Sequence, residues 1–444
     1  MGVMMQTFFW DCLRVDGREF QWWSYIREQV PALAKTGFTS LWLPPVHKAA
    51  NLGGPSMGYD PYDYYDLGEF DQKGTVPTWF GTKADLLSLI ETAHSYRLGV
   101  IADVVINHNS GADEQEVNPL ISQPRWTKFT PKSGNFPRNW ECFHPNMYEH
   151  WDEMTFGDMP DLSHRNPYVY AELMKLARWL IEEVGFDGFR YDFVKGYGAG
   201  TIAAFQEYRY MRGGQPVVPY GVAEYWDSAS NTLRWVEAAN FSNANPVDAF
   251  DFPLREMFKA LCDQYGFSLR SLPTWDTILQ KQPQTTVTFV ENHDLRDEGR
   301  PIVNDKLLAY SYILTHEGYP CVFWHDYFNL NLALDGTPNG IAALVTAHET
   351  YAGGGAEILY VDDNLYIMQR TGFVDKPGLI YVLNNRGDNW NGRMVTTKFV
   401  NASFQPVAWW SKSDLSRPIN QPTDRDGRAQ FYAPPRGYAV YAMK

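Results

Sequence analysis

GFRYDFVKG, residues 188–196, is a short apolar run that ends in charge. Successive side chains of a strand point to opposite faces, so Arg190 and Asp192, two positions apart, share one face. A guanidinium beside Asp192 is expected to keep that carboxylate ionised and aimed. The same pattern recurs along the chain. DVVINHNS (103–110) closes an apolar run with Asp103, Asn107 and His108, VAEYW (222–226) with Glu224, and VENHD (290–294) with His293 and Asp294. Taken singly, an Asp after a strand is a helix N-cap or a turn residue, and a lone His there is a satisfied polar partner. Recurrence at successive strand ends, in one register, points instead to a site.

Outward from these stretches, short β-rich runs alternate with segments of helical periodicity, the pattern of βα units around a parallel sheet. Strands are predicted at Val3–Phe9, Phe38–Leu43, Val100–Val105, Gly188–Tyr191, Val217–Ala223, Val247–Phe250, Thr286–Val290 and Tyr319–Phe323. Helices are predicted at Trp23–Lys35, Lys83–Tyr96, Tyr168–Val184 and Lys306–Thr315. Eight such repeats suit an α/β chain closed into a (β/α)8 TIM barrel better than an open doubly wound sheet, and barrel function sits where strands end and βα-loops begin. From about Asn107 to Asn166 the connection is far longer than a barrel loop needs, which marks an inserted excursion after the third strand. After about Gly353 the runs EILYVDD, LYIMQR, GLIYVLNN and GYAVYAM read as a separate antiparallel β-domain. The expected division is a barrel over 1–106 and 167–353, an excursion over 107–166, and a C-terminal β-domain over 354–444.

Composition narrows the function classes. Of 444 residues, 44% are hydrophobic and 20% charged, as in a folded globular protein. A formal charge of -14 argues against nucleic acid and against an anionic membrane surface. No apolar run approaches a membrane span. Aromatic residues reach 16%, with 16 Trp and 27 Tyr, which suits either an aromatic core or sugar surfaces that stack on rings. Cys12, Cys142, Cys262 and Cys321 are far apart and form no CxxC pair, so free buried thiols are expected rather than zinc or redox chemistry. The start MGVMMQTFFWD lacks a basic n-region, and Gln6 breaks the myristoylation pattern. A cytoplasmic location is expected as written, or a secreted one if a signal has been removed. A monomer is the simplest expectation.

Glycoside hydrolysis needs one carboxylate and one carboxylic acid flanking the bond, close together when configuration is retained. Asp192 beside Arg190 fits the nucleophile. Glu224 fits the proton donor, its carboxyl raised by burial and by negative neighbours. His108 and His293 can bond sugar hydroxyls, and Asp294 can hold two vicinal hydroxyls. At these residues the chain resembles the α-amylase family, glycoside hydrolase family 13, over essentially its whole length and all the family's motif blocks. The resemblance implies Asp192 as nucleophile, Glu224 as acid/base and Asp294 as transition-state stabiliser, with Arg190, His108 and His293 lining the same subsite. GYDPYDYYDLGEF (58–70) matches as well, which implies Tyr59 as the platform under the sugar being cleaved, and Lys195 is implied on the leaving side.

The same likeness implies the three-part fold and a structural Ca2+ between barrel and excursion. Ca2+ takes oxygen ligands. Asn107 offers a side-chain oxygen, Asp161 in MPDLSH a carboxylate, and Asp152 a further one, although both acids also read as solvated loop residues. Many members carry His where this chain has Gly196, so only the backbone carbonyl is available there, as in plant-type and some bacterial amylases. The expected activity is endo-hydrolysis of α-1,4 bonds in starch, glycogen or maltooligosaccharides with retention. A 4-α-glucanotransferase of the same fold and a non-catalytic glycan-binding relative are the alternatives. Trp22-Trp23 and Trp409-Trp410 read as core packing in preference to secondary glucan patches.

Overall fold

The computed structural model describes residues 2–51, 54–150, 154–241 and 245–443. Eight parallel strands close into a barrel in chain order. They are β1 (Met4–Gln6), β2 (Ser40–Leu43), β3 (Gly99–Val104), β4 (Gly188–Tyr191), β5 (Tyr220–Ala223), β6 (Asp248–Phe250), β7 (Thr286–Phe289) and β8 (Tyr319–Phe323). A longer helix follows each strand in turn: α1 (Trp22–Thr36), α2 (Lys83–Ser95), α3 (Pro167–Trp179), α4 (Ala199–Glu207), α5 (Ala229–Ala239), α6 (Phe252–Asp263), α7 (Lys306–Ile313) and α8 (Ile341–Tyr351). The strands are almost wholly buried because parallel sheets are covered on both faces, which is why they read as apolar runs. Polar residues just outside the runs start the helices. Thr82 and Asp85 make a reciprocal capping box on α2, while Asn166, Ser228 and Asp251 cap α3, α5 and α6.

Several predicted elements differ from the structure: the strand expected over Val3–Phe9 is confined to Met4–Gln6, and the one expected over Phe38–Leu43 begins at Ser40. The strand expected over Val217–Ala223 begins only at Tyr220, and Gln215–Val217 pairs antiparallel with Tyr210–Arg212. Pro216 and Pro219 lack the N–H that a central ladder needs. The helix expected over Tyr168–Val184 is α-helical to Trp179, then widens into a π-turn over Leu180–Val184 that ends at Gly185, φ 105°.

The chain forms two compact units, Thr7–Ala34 with Ser40–Phe250, and Met1–Gln6 with Lys35–Thr39 and Asp251–Lys444. In the first, β3 lies beside β4 with Asp103 level with Arg190. The excursion carries a hairpin (Glu114–Asn118 with Gln123–Lys128) and closes on its own entry, where His108 bridges to Asp161. A second long connection, between β2 and α2, has no periodic signal in the sequence. It is organised around the buried Lys48, whose ammonium donates to the carbonyls of Thr75, Val76 and Pro77 at 2.9, 2.7 and 3.1 Å.

The second unit carries β1, β7 and β8 and an antiparallel C-terminal sheet. Its strands are β9 (Ala356–Val361), β10 (Leu365–Arg370), β11 (Leu379–Asn384), β12 (Asn391–Thr396), β13 (Ser403–Ser411), β14 (Gln421–Pro422), β15 (Arg428–Ala433) and β16 (Gly437–Met443). They pair in the order β9-β10-β11-β16-β13-β14, with β12 and β15 forming a second ribbon. Ile367, Ile380, Phe404, Trp409 and Phe431 fill the core between them. Trp409 is thus core, as are Trp22 and Trp23, which have no exposed surface. Cys12, Cys142, Cys262 and Cys321 are all buried and unpaired. Among the described residues, no helix is long and apolar enough to cross a membrane.

Candidate active site

Arg190, on β4, is 1% exposed and sits level with Asp103 of β3. Its Nη1 donates to Asp103 Oδ1 at 2.9 Å and to Asp192 Oδ1 at 2.6 Å, and its Nη2 lies 3.0 Å from Glu224 Oε2. One planar, permanently charged fork therefore gathers acids from the ends of three strands. Asp103 Oδ2 accepts two further bonds, from Trp42 Nε1 at 3.0 Å and from the Tyr59 hydroxyl at 2.8 Å. Burial pushes Asp103 up to about 6, against the opposing pull of Arg190, Tyr59 and Trp42. Burial alone would also lower Arg190, but the acids around it outweigh that and hold it well above its ordinary value.

Glu224 follows β5, and its Oε2 accepts the Phe193 N–H at 3.0 Å as well as the Arg190 contact. The sequence-based expectation for Glu224 counted burial and neighbouring acids. It did not include a guanidinium shared with Asp192. Lys195, expected against substrate, directs its ammonium to Asp227 Oδ2 at 2.6 Å and to the Trp226 carbonyl at 2.9 Å, joining the loops after β4 and β5. The ring of Tyr59 stacks on Trp10 with centroids 6.0 Å apart.

His108 is fully buried, with Nε2 3.0 Å from the Tyr59 carbonyl and Nδ1 3.4 Å from Asn107 Nδ2. Those partners assign the proton to Nε2. Burial brings the ring down to about 4, so it stays neutral across the physiological range. Phe156, from the excursion, stacks on its face at 4.5 Å.

The second unit contributes the residues after β7. His293, 2% exposed, has Nδ1 2.9 Å from Gln6 Nε2 and Nε2 3.2 Å from Asp294 Oδ2. Because the Gln6 amide nitrogen donates, His293 carries its proton on Nε2, facing Asp294. Arg296 Nη1 also reaches Asp294, at 3.3 Å.

Three of the residues expected around a cation lie together in the first unit. Asn107 Oδ1 and Asp161 Oδ1 are buried oxygens without a hydrogen-bond partner. Asp161 Oδ2 meets His144 Nδ1 at 3.1 Å. A Cβ built on Gly196 would fall 1.9 Å from Asn107 Oδ1 and 2.9 Å from the Met154 carbonyl oxygen, so only glycine fits there. Asp152 lies outside the described residues. Among those described, no group of three or more His, Cys, Asp or Glu side chains could hold a metal. The donors at Gly196 are instead amide and carbonyl oxygens, the hard ligands that Ca2+ takes.

Sequence reasoning noted Asp103 at a strand end but not its place at the centre of this network, and it missed Trp42, Phe193, Asp227 and Gln6. Alternation along β3 carries the signal for Asp103, since it follows a buried apolar run and still must find a partner. Nothing local marks the others.

Comparison with known proteins adds a second line of observation. The alpha-amylase catalytic-domain family model matches residues 14–297. The α-amylase of Geobacillus stearothermophilus is 32% identical over 434 residues, covering 85% of this chain and 76% of that protein. The α-amylase of Bacillus licheniformis is 33% identical over 377 residues, covering 74% and 71%. The crystal structure of an α-amylase from Geobacillus thermoleovorans complexed with acarbose superposes with a TM-score of 0.70 at 19% identity, covering 100% and 98%.

Proposed function

The chain belongs to the α-amylase family of glycoside hydrolases, and from that premise we propose that it cleaves internal α-1,4-glucosidic bonds of starch-like glucans and maltooligosaccharides with retention of configuration. The observation that carries the reading is the shared guanidinium: Asp192 and Glu224 bond the two η nitrogens of Arg190. Retention needs carboxyl groups about 5–5.5 Å apart, inversion about 6.5–9.5 Å. Sharing one small planar fork draws the two acids together, which favours retention over inversion.

Asp192 then attacks the anomeric carbon while the C1–O4 bond breaks and Glu224 gives its proton to the departing O4. Water next loses a proton to Glu224 and attacks C1, expelling the Asp192 carboxylate. Two inversions leave the configuration unchanged. Attack through Asp192 Oδ2 leaves the Arg190 bond to Oδ1 intact in both steps, so the carboxylate is stabilised as nucleophile and as leaving group. Asp294 holds vicinal hydroxyls of the distorted sugar, Tyr59 stacks beneath it, and His108 and His293 line the subsite, with His108 also bracing the Tyr59 carbonyl. Lys195 fixes the leaving side through Asp227 and Trp226. The domain division at 106/107, 166/167 and 353/354 is part of the same reading.

Purified protein incubated with maltotriose separates this function from glucanotransfer. New reducing ends are expected to accumulate as glucose and maltose. Longer oligomers without a net gain in reducing ends would identify a transferase.

A Ca2+ ion is the proposed cofactor, held by Asn107 Oδ1, the Asp161 carboxylate and the Gly196 carbonyl, with Asp152 as a further candidate. It would supply charge neutralisation for these buried oxygens and tie the excursion to the barrel, and it takes no part in bond cleavage. Dialysis against EDTA is expected to lower Tm by about 5 °C or more, with recovery on adding Ca2+, because a ligand of the native state stabilises by mass action. A Tm indifferent to both treatments rules this site out.

A further inference from the structure

The residue after the proposed nucleophile has an uncommon backbone. Phe193 sits at φ 45°, ψ 47°, the left-handed region in which an L side chain crowds its own carbonyl. A bulky residue persists there only when its surroundings hold it. Two things do. The Gly196 N–H donates to the Phe193 carbonyl at 3.0 Å. The Phe156 ring meets the Phe193 ring edge to face, with centroids 5.2 Å apart, and itself lies flat on His108 at 4.5 Å. The conformation turns the Phe193 N–H onto Glu224 Oε2 at 3.0 Å, the same oxygen that faces Arg190 Nη2 at 3.0 Å.

We infer that Phe193 is a positioning residue for the acid: its left-handed backbone, braced by Phe156 from the excursion, aims an N–H at Glu224 Oε2 and reserves Oε1 for the transferable proton. An oxygen that accepts an N–H bond and faces a guanidinium nitrogen at 3.0 Å stays the unprotonated one of its carboxyl group. Rotating the carboxyl half a turn would exchange the two oxygens, and the Phe193 hydrogen bond together with the Arg190 ion pair on Oε2 opposes that rotation. The proton is therefore given to O4 from Oε1 and collected from water on the same oxygen. The inference rests on the proposed hydrolase reading, with Glu224 as its acid.

The test compares a substrate that needs the acid with one that does not. Starch requires protonation of the departing O4, whereas α-maltotriosyl fluoride releases fluoride with little help. Phe193→Val disfavours the left-handed region through its β-branch. Phe193→Gly removes the same ring but enters that region freely. On starch, Phe193→Val is expected to lower kcat by about thirtyfold with KM within about twofold. The alkaline limb of its pH profile moves up, because a hydrogen bond to the ionised carboxylate has been lost. On the fluoride the loss shrinks to about threefold or less, and Phe193→Gly recovers most of the starch rate. Should Phe193→Val not fold, Phe156→Ala, at a ring already 40% exposed, gives the same substrate split at about fivefold on starch, and Phe156→Tyr restores it. Equal losses on both substrates, or a Phe193→Gly variant as slow as Phe193→Val, overturn the inference. A wild-type protein inactive on both substrates overturns the hydrolase reading itself.

Discussion

Asp192→Asn and Glu224→Gln are each expected to lower reducing-sugar release from soluble starch by at least about a thousandfold, or about 4 kcal/mol of transition-state stabilisation. The two losses have different causes. Asparagine keeps the shape of Asp192 and its place beside Arg190, but it cannot form the glycosyl ester. Glutamine cannot give or take the proton. On α-maltotriosyl fluoride, Glu224→Gln should therefore keep far more of its rate than Asp192→Asn. The double variant should be no slower than the worse single one, because both residues serve one displacement and their effects do not add. Each variant leaves Arg190 with two acid partners, so Tm should stay close to wild type and the loss can be read as chemistry. If either variant keeps the wild-type rate on starch, that acid is scaffold.

Arg190→Met is expected to abolish activity and to destabilise the fold, by about 3–5 kcal/mol, because it strands buried charges that now share one partner. Arg190 is 1% exposed, and the side chains it bonds are 0% (Asp103), 9% (Asp192) and 12% (Glu224) exposed. Without the guanidinium these acids repel one another in a medium that solvates them poorly. The pH dependence has a definite sign. Asp103 is already raised to about 6, above the ordinary carboxylate value, by burial. Losing its cation raises it further, so the native variant binds protons that the unfolded chain has released. Its stability then falls as pH rises through that range. The stability gap to wild type is expected to be widest near neutral pH and to narrow towards pH 5, as read by denaturant titration at several pH values. A gap that does not change with pH would mean that Arg190 stabilises by packing rather than by charge. Arg190→Lys restores a charge but not a fork that reaches Asp103, Asp192 and Glu224 at once, so it should recover stability better than activity.

Most of the barrel was legible because its signals are local. Gly188–Tyr191 and Tyr319–Phe323 appear as strands at the predicted bounds. The shortfalls occur where local chemistry overrides apolar character, as at Pro216 and Pro219 ahead of Tyr220, or where a helix changes winding after Trp179. The connection between β2 and α2 was not legible, since its order depends on Lys48 finding carbonyls about thirty residues away. The site divides the same way. Arg190 and Asp192 could be placed on one face by counting, and the structure joins them at 2.6 Å. That Asp103 and Glu224 meet the same guanidinium could not be counted, because it depends on the lateral register of β3, β4 and β5.

By itself the sequence determined the fold class, the repeating βα order and the identity of the acids at the strand ends. Each of these rests on periodicity or on a residue's own chemistry, which neighbours in the chain suffice to express. Only the tertiary structure decided which oxygen meets which nitrogen: Asp192 and Glu224 on the two arms of Arg190, the Phe193 N–H on Glu224 Oε2, the Lys195 ammonium on Asp227. Contacts near 3 Å are set by strand register and by long loops that close back on the barrel. Neither leaves a periodic trace in the order of the amino acids.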